Sequence, residues 1–308
     1  MYTLRGQSNS SFDTQLSTSL AERLAYSFQP RRYGTGMTAN YDNSGSSRQF
    51  GKQWNLFRAI DPQHEKQFNS WTSAATSEFF NRKVILDAGC GNGRNSYWAA
   101  THNPSKIISI DLDELSINAA KENTRDIAAV VVEARSIYQV GVDYPNHFDS
   151  VMCIGVLHHL ASPDQALQSF HRSLKADGRL LLWVYGRRGN GIIYPIIQLF
   201  RFVTRHLPFK INYYISLPVA LAYRFIIRVN LIQNEYGENS KILTLKQLHN
   251  IVLDQLIPNI ANYWTEDAVL ELIRKADFEV ESIKLVNGNS WSVLARKSVT
   301  KQGAPAKL

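Results

Sequence analysis

Two cysteines, Cys90 and Cys153, are all that 308 residues contain. So few exclude a disulfide framework and a cysteine-based zinc site, and the usage fits a reducing compartment. Long apolar runs are missing as well. In the segment 187–234 the longest uncharged stretches, 189–200 and 211–223, fall short of the roughly 20 residues that a membrane-spanning helix needs. The opening "MYTLRGQSNSSFDTQ" lacks the apolar core of a signal peptide, so a cytoplasmic protein is expected. Acidic residues are absent from Arg187 to Asn234, a segment that carries Arg187, Arg188, Arg201, Arg205, Lys210, Arg224 and Arg228. With a net charge of +8, nucleic acid, an anionic membrane or an acidic ligand all stay open as partners. An N/D-P-P-Y tetrapeptide and any RNA-binding module are lacking, and no metal site is expected.

What is present divides into segments. Residues 1–80 read as a helical cap: Leu16, Leu20, Leu24 and Phe28 form one helical stripe, a polar loop follows over 33–49, and aromatic helical patterning resumes over 50–80. From Lys83 strands and helices alternate. "KVILDAG", then 106–113, 128–134, 148–156 and 175–186 read as strands, with helices at "NSYWAATH", 114–123 and 162–174. Apolar strands separated by helices predict an α/β fold, a parallel sheet covered on both faces. A helix over 265–277 follows, partly capped by Thr265, and then two strands joined by Asn287-Gly288-Asn289, a hairpin signal. The expected plan is a cap (1–80), a core (81–186), a basic and apolar helical insertion (187–262), the end of the core (263–298) and a tail (299–308).

The first strand runs into "LDAGCGNGRN" (86–95), with Gly89, Gly91 and Gly93 at alternate positions. A dinucleotide site needs G-x-G-x-x-G, but Arg94 occupies the place of its third small residue, and the phosphate-loop pattern is absent. Asp87 precedes the first glycine by two residues, a poor neighbour for pyrophosphate and a good one for an ammonium or sulfonium. Asp111 ends the second strand, where a carboxylate can accept both hydroxyls of a ribose, and Leu112 offers a flat apolar contact.

These residues, together with "IISIDLD", "CIGVLHHL", "LKADGRLLLWVYG" and the closing "VNGNSWSVLARK", resemble the class I S-adenosylmethionine-dependent methyltransferases over about 83–186 and 263–297. "FGKQW" (50–54) resembles the N-terminal segment of bacterial small-molecule members. The resemblance implies a Rossmann-like sheet of seven strands, mostly parallel with the last antiparallel, and S-adenosylmethionine as cofactor. It further implies that Gly89, Cys90, Gly91 and Gly93 surround the methionyl part, that Asp87 holds its amino end directly or through water, and that Asp111 holds the ribose. Gly155 and Val156 would pass beneath the sulfonium, and Trp54 would join the cofactor site. The family's acid after strand three is replaced here by Arg135 and Ser136, so adenine is expected on backbone groups around Ser136 and Ile137.

A methyl donor of this kind is already electrophilic. The protein must chiefly hold the nucleophile in line, which can contribute roughly 7–11 kcal/mol. A base for a hydroxyl or protonated amine acceptor is sought in "LHHL". His159 matches the base of some related enzymes better than His158, one of the pair being expected to pack or cap, and Tyr185 is a second candidate. The insertion admits three readings: a lid over the acceptor, a membrane-surface element, or a nucleic-acid contact. The lid is favoured because both elaborations are aromatic, with Tyr33, Tyr41, Phe50, Trp54 and Phe57 in one and Tyr194, Phe200, Tyr213, Tyr214 and Tyr223 in the other. The expected reaction is methylation of O or N on a hydrophobic small molecule, a specialised metabolite, with residues 33–58 closing over the cofactor. A lipid-linked or membrane-associated acceptor, RNA or protein, and a non-catalytic cofactor-binding subunit are the alternatives.

Overall fold

Neighbouring apolar residues on the central strands face opposite ways, which gives the sheet two cores. The structure, a computed structural model, describes residues 46–190, 193–232 and 235–298. Its strands are β1 Val84–Ala88, β2 Lys106–Asp111, β3 Val130–Ala134, β4 Phe148–Ile154, β5 Leu174–Tyr185, β6 Phe278–Val286 and β7 Ser290–Lys297. Leu86, Ile108, Val151 and Leu180 fall in one buried cluster, whereas Ile85, Ile107, Met152 and Leu181 fall in the other, as the period of two requires. The sheet order is β3-β2-β1-β4-β5-β7-β6. β1 to β5 pair in parallel, and β7 runs antiparallel to both its neighbours. The expected Rossmann-like sheet with a reversed last strand is therefore the one found, including the hairpin turn at 287–289.

Around it lie α1 Ser46–Leu56, α2 Gln63–Trp71, α3 Arg94–Ala100, α4 Glu114–Thr124, α5 Val140–Asp143, α6 Pro163–Ser173 and α11 Glu266–Lys275. α1 begins inside the stretch read as a loop, because Phe50, Trp54 and Phe57 recur at helical spacing on one side of it. The helix expected at 16–28 and the tail from 299 lie outside the described residues.

Between β5 and α11 the insertion forms α7 Ile193–Thr204, α8 Phe209–Arg228, α9 Glu235–Lys241 and α10 Leu245–Leu256. Its two stems are stitched together. Arg187 N donates to the Trp264 carbonyl at 2.9 Å and Trp264 N donates to that of Tyr185 at 3.0 Å. The insertion therefore leaves and returns at the carboxyl end of β5, the edge where parallel sheets bind ligands. Among the described residues, no helix is long and apolar enough to cross a membrane.

Candidate active site

The turn after β1 is held in a left-handed conformation, with φ of 82° at Gly89 and 55° at Gly91. Side chains press on it from both directions. A Cβ on Gly89 would lie 2.6 Å from a Val156 methyl, and one on Gly91 would lie 2.9 Å from Nε1 of Trp54. Glycine is required by conformation and by space together. The turn is also tied to β2: Gly91 N donates to Oδ2 of Asp111 at 2.9 Å, and Oδ1 of Asp111 accepts from Leu112 N at 2.8 Å and Asp113 N at 3.2 Å.

These groups line one end of a cavity of about 1240 Å³. Single-ligand pockets measure ~300–1,000 Å³, so there is room for a cofactor and a second molecule. At this end Gly89, Cys90, Gly91, Asp111, Gly155 and Val156 are exposed to the cavity, with Leu112 and Ile137 as apolar walls and Trp54 beside the turn. Gly93 starts α3 and packs on Ala120 of α4. Asp87 sits beneath the turn rather than in the cavity, accepting from Ser96 Oγ at 2.5 Å. Burial raises its pKa from 3.8 to about 7, against the Ser96 hydrogen bond and with help from Asp111. Ser136 is buried too, its hydroxyl accepting from Tyr138 N at 3.2 Å, while Arg135, Ile137 and Tyr138 form the cavity wall at that place.

S-adenosylmethionine fits these residues. The Leu112–Ile137 slot suits a flat base, Asp111 keeps one lone pair, on Oδ2, for a ribose hydroxyl beside the three backbone N–H groups it already accepts, and the carboxylates of Asp111 and Asp87 favour a cation. Arg94 would suit the carboxylate end of that cofactor. Its guanidinium is sandwiched 5.1 Å from the Trp54 ring and 4.8 Å from the Trp71 ring. It makes no ion pair with any described carboxylate, and burial lowers its pKa to about 10. An unpaired, half-buried cation facing a cavity is a site for an anion.

The same cavity holds the candidate chemistry. His159 follows β4 on a short turn, Leu157–His159. Its Nδ1 lies 2.8 Å from the Ile260 carbonyl, which can only accept, so Nδ1 carries the hydrogen and Nε2 keeps a free lone pair in the neutral ring. Burial lowers the His159 pKa, and the Phe50 ring packs 4.9 Å away. His158 has a different fate. Its ring stacks on Tyr185 at 3.8 Å, both ring nitrogens are buried without a partner, and burial holds its pKa well down. Of the two histidines only His159 lines the cavity.

Tyr185 donates to Oδ2 of Asp254 at 2.6 Å and accepts from Gln255 Nε2 at 3.2 Å. Burial, with Asp254 adding to it, holds its phenol well above the usual range. It is protonated and oriented at neutral pH, a donor rather than a base. Asp254 and Gln255 were missed from sequence, although Gln247, Asn250 and Asp254 recur at i, i+3 and i+7 on α10 and all line the cavity. α1 closes the roof: Gln53 Nε2 donates to Oδ1 of Asn250 at 2.8 Å.

Residues 80–186 match the family model described as a methyltransferase domain. An uncharacterized protein of Synechococcus sp. is 35% identical over 116 residues, 36% of this chain and 28% of that protein. The tRNA U34 carboxymethyltransferase of Helicobacter pylori (strain HPAG1) is 29% identical over 119 residues, 36% of this chain and 44% of its own length. The chain thus spans less than half the length of these curated relatives. Among solved structures, the Burkholderia thailandensis 1,6-didemethyltoxoflavin-N1-methyltransferase, with bound 1,6-didemethyltoxoflavin and S-adenosylhomocysteine, aligns with TM-score 0.54 at 17% identity, covering 86% of this chain and 93% of that one. The [4+2]-cyclase SpnF aligns equally well, with TM-score 0.54 at 15% identity over 87% and 100%. At such identities the likeness is one of fold, and a cyclase on it shows that fold alone does not set the reaction.

Proposed function

We propose that residues 80–186, which match a methyltransferase domain, use S-adenosylmethionine in the class I manner, and that the chain methylates an oxygen or nitrogen of an apolar small molecule held in the insertion half of the cavity. One observation carries this reading. One cavity is lined by the glycine turn and Asp111 and also by His159 and the Tyr185–Asp254 pair, with apolar side chains of α7 and α8 forming part of its wall.

The bound cofactor supplies an electrophilic methyl group. His159, neutral and with Nε2 free, takes the proton from the acceptor's hydroxyl or ammonium. The Ile260 carbonyl fixes its tautomer and holds the imidazolium once formed. Tyr185, its one hydrogen held by Asp254, keeps a lone pair toward the cavity that can accept from the acceptor and orient it. Phe50, Trp54 and Phe57 exclude water from above. A base that can be charged only at acidic pH keeps its lone pair at pH 7, so turnover should hold steady at neutrality and decline on an acid limb below 6.5.

The tRNA-directed relatives share the domain over 36% of this chain. A base splayed from RNA would need a cleft open to phosphate, which an apolar pocket roofed by α1 and α10 does not offer. The test is calorimetry with S-adenosylmethionine and S-adenosylhomocysteine, followed by labelled-methyl transfer to a panel of apolar phenols and amines. His159→Ala should bind the cofactor within about twofold of the parent and lose ~10²–10⁴-fold in turnover. Parental turnover in that variant would remove His159 from the mechanism, and binding of NADH in place of the methyl donor would remove the reading itself.

A further inference from the structure

Helices α7 and α8 are built inside out. In α8 the buried positions are Asn212, Ser216, Ala220 and Ile227, of which the first three form a stripe at spacings of four. Asn212 Nδ2 donates to the Thr204 carbonyl at 2.8 Å, and Ser216 Oγ lies 2.8 Å from Nε2 of His249. In α7 it is Arg201, only 2% exposed, and Thr204 that turn inward, bonding the carbonyls of Gln255 and Leu256, each at 2.9 Å. The large apolar residues point to solvent instead: Leu199 is 72% exposed, Phe202 57%, Tyr214 70% and Phe225 65%. A water-facing helix has the opposite polarity. Two adjacent helices doing this leave a larger apolar surface than a monomer in water keeps without use.

Cations frame that surface. Lys210 stands in the first turn of α8, Arg224 one turn before its end and Arg228 in its last turn, and Arg205 follows α7 with its guanidinium 5.3 Å from the Phe202 ring. No acidic residue lies between positions 187 and 234 to offset them. The same helices wall the cavity: Ile196, Phe200, Ile215 and Val219 line it while each is also more than a third exposed.

We propose that the α7–α8 face docks in the interfacial plane of an anionic lipid bilayer and sets the cavity's apolar wall against the acyl chains. Aromatic and aliphatic side chains enter the headgroup region, and the basic rim pairs with lipid phosphate. The helices lie on the surface and do not cross it. The docking surface stands apart from the proposed reaction, whereas supply of the acceptor from the bilayer rests on that reading.

The test is sedimentation of the full chain with vesicles of phosphatidylcholine alone and of phosphatidylcholine with about a third phosphatidylglycerol. Pelleting with the anionic vesicles is expected, with little on neutral ones. The double variant L199E/F225E, at two exposed positions outside the cavity wall, and R224Q/R228Q should each lose ~10-fold or more in the pelleted fraction. Both should bind S-adenosylmethionine like the parent in calorimetry, which separates loss of docking from loss of the cofactor site. Three results would overturn the proposal: no pelleting by the parent, pelleting unchanged in both variants, or a parent dimer that L199E/F225E makes monomeric without altering pelleting. Retention on tRNA with none on vesicles would assign the basic rim to nucleic acid instead.

Discussion

Asp87 is a carboxylate set in the interior, 1% exposed, and under the proposed function a cation approaches it later. Without one, burial holds its pKa near 7 rather than 3.8, so between those values the folded state binds more protons than the unfolded. Stability therefore falls as pH rises from about 4 to about 7, and is flat above. A sulfonium and ammonium nearby favour the ionised form, so cofactor affinity should rise from pH 6 to pH 8. Asp87→Asn keeps an acceptor for Ser96 and removes the charge. It should gain a few degrees in melting temperature at pH 8, lose ~10-fold in cofactor affinity and flatten the pH dependence of binding. A lower melting temperature with parental affinity would contradict this account. Arg94→Leu should cost ~10-fold or more in cofactor affinity, the range expected for hydrogen bonds to a charged group. At this scale the meeting of Gly89, Gly91 and Asp111 at one cavity was legible, because a tight turn after a strand imposes a local spacing. His159 was preferred to His158 by resemblance alone, since what sets the two rings apart in the structure is the Ile260 carbonyl, 101 positions along the chain. Asp254 was hidden likewise: its partner Tyr185 lies 69 residues away.

Elements meet where side chains leave room. A Cβ on Gly51 of α1 would fall 1.7 Å from Oδ1 of Asp113. That oxygen caps α4, accepting from Leu115 N at 2.9 Å and Ser116 N at 3.3 Å, so it cannot swing aside freely. Gly51→Ala should therefore either strip the cap, at about 1 kcal/mol, or lift α1 off the cavity. Limited proteolysis near residues 46–58 should quicken and cofactor affinity should drop, while circular dichroism of the core stays parental. Unchanged proteolysis and affinity would show that α1 does not close the site. The strands and core helices were read within a few residues of their ends, because each buries a whole face and repeats its pattern. α1 was read partly as loop, since the serines before it hide a helix whose aromatic side is visible only from Phe50 onward. α10 was not set apart within the helical insertion, although Thr244 and Gln247 form a capping box at its start. Its polar stripe serves the cavity, so its amphipathicity does not report on water.

For the molecule as a whole, charge is divided unevenly. The seven cations and no acids of 187–234, set against a total of +8, leave the remaining 260 residues at +1. The cofactor end is governed by Asp87 and Asp111 in the interior, whereas the basic field stands on the helices of the insertion. Salt should tell the two apart. Exposed charges are screened at distances beyond ~10 Å in 0.1 M salt, and buried ones far less. Between 50 and 500 mM NaCl the dissociation constant for S-adenosylmethionine should change by less than about twofold. Over the same range the partition of the protein onto anionic vesicles should weaken by about tenfold or more, since each cation near such a surface contributes about 1 kcal/mol. Calorimetry and sedimentation on one preparation check both. Equal salt sensitivity would mean that the insertion's cations act on the cofactor site itself, and an insensitive partition would leave the apolar face to hold the membrane without them.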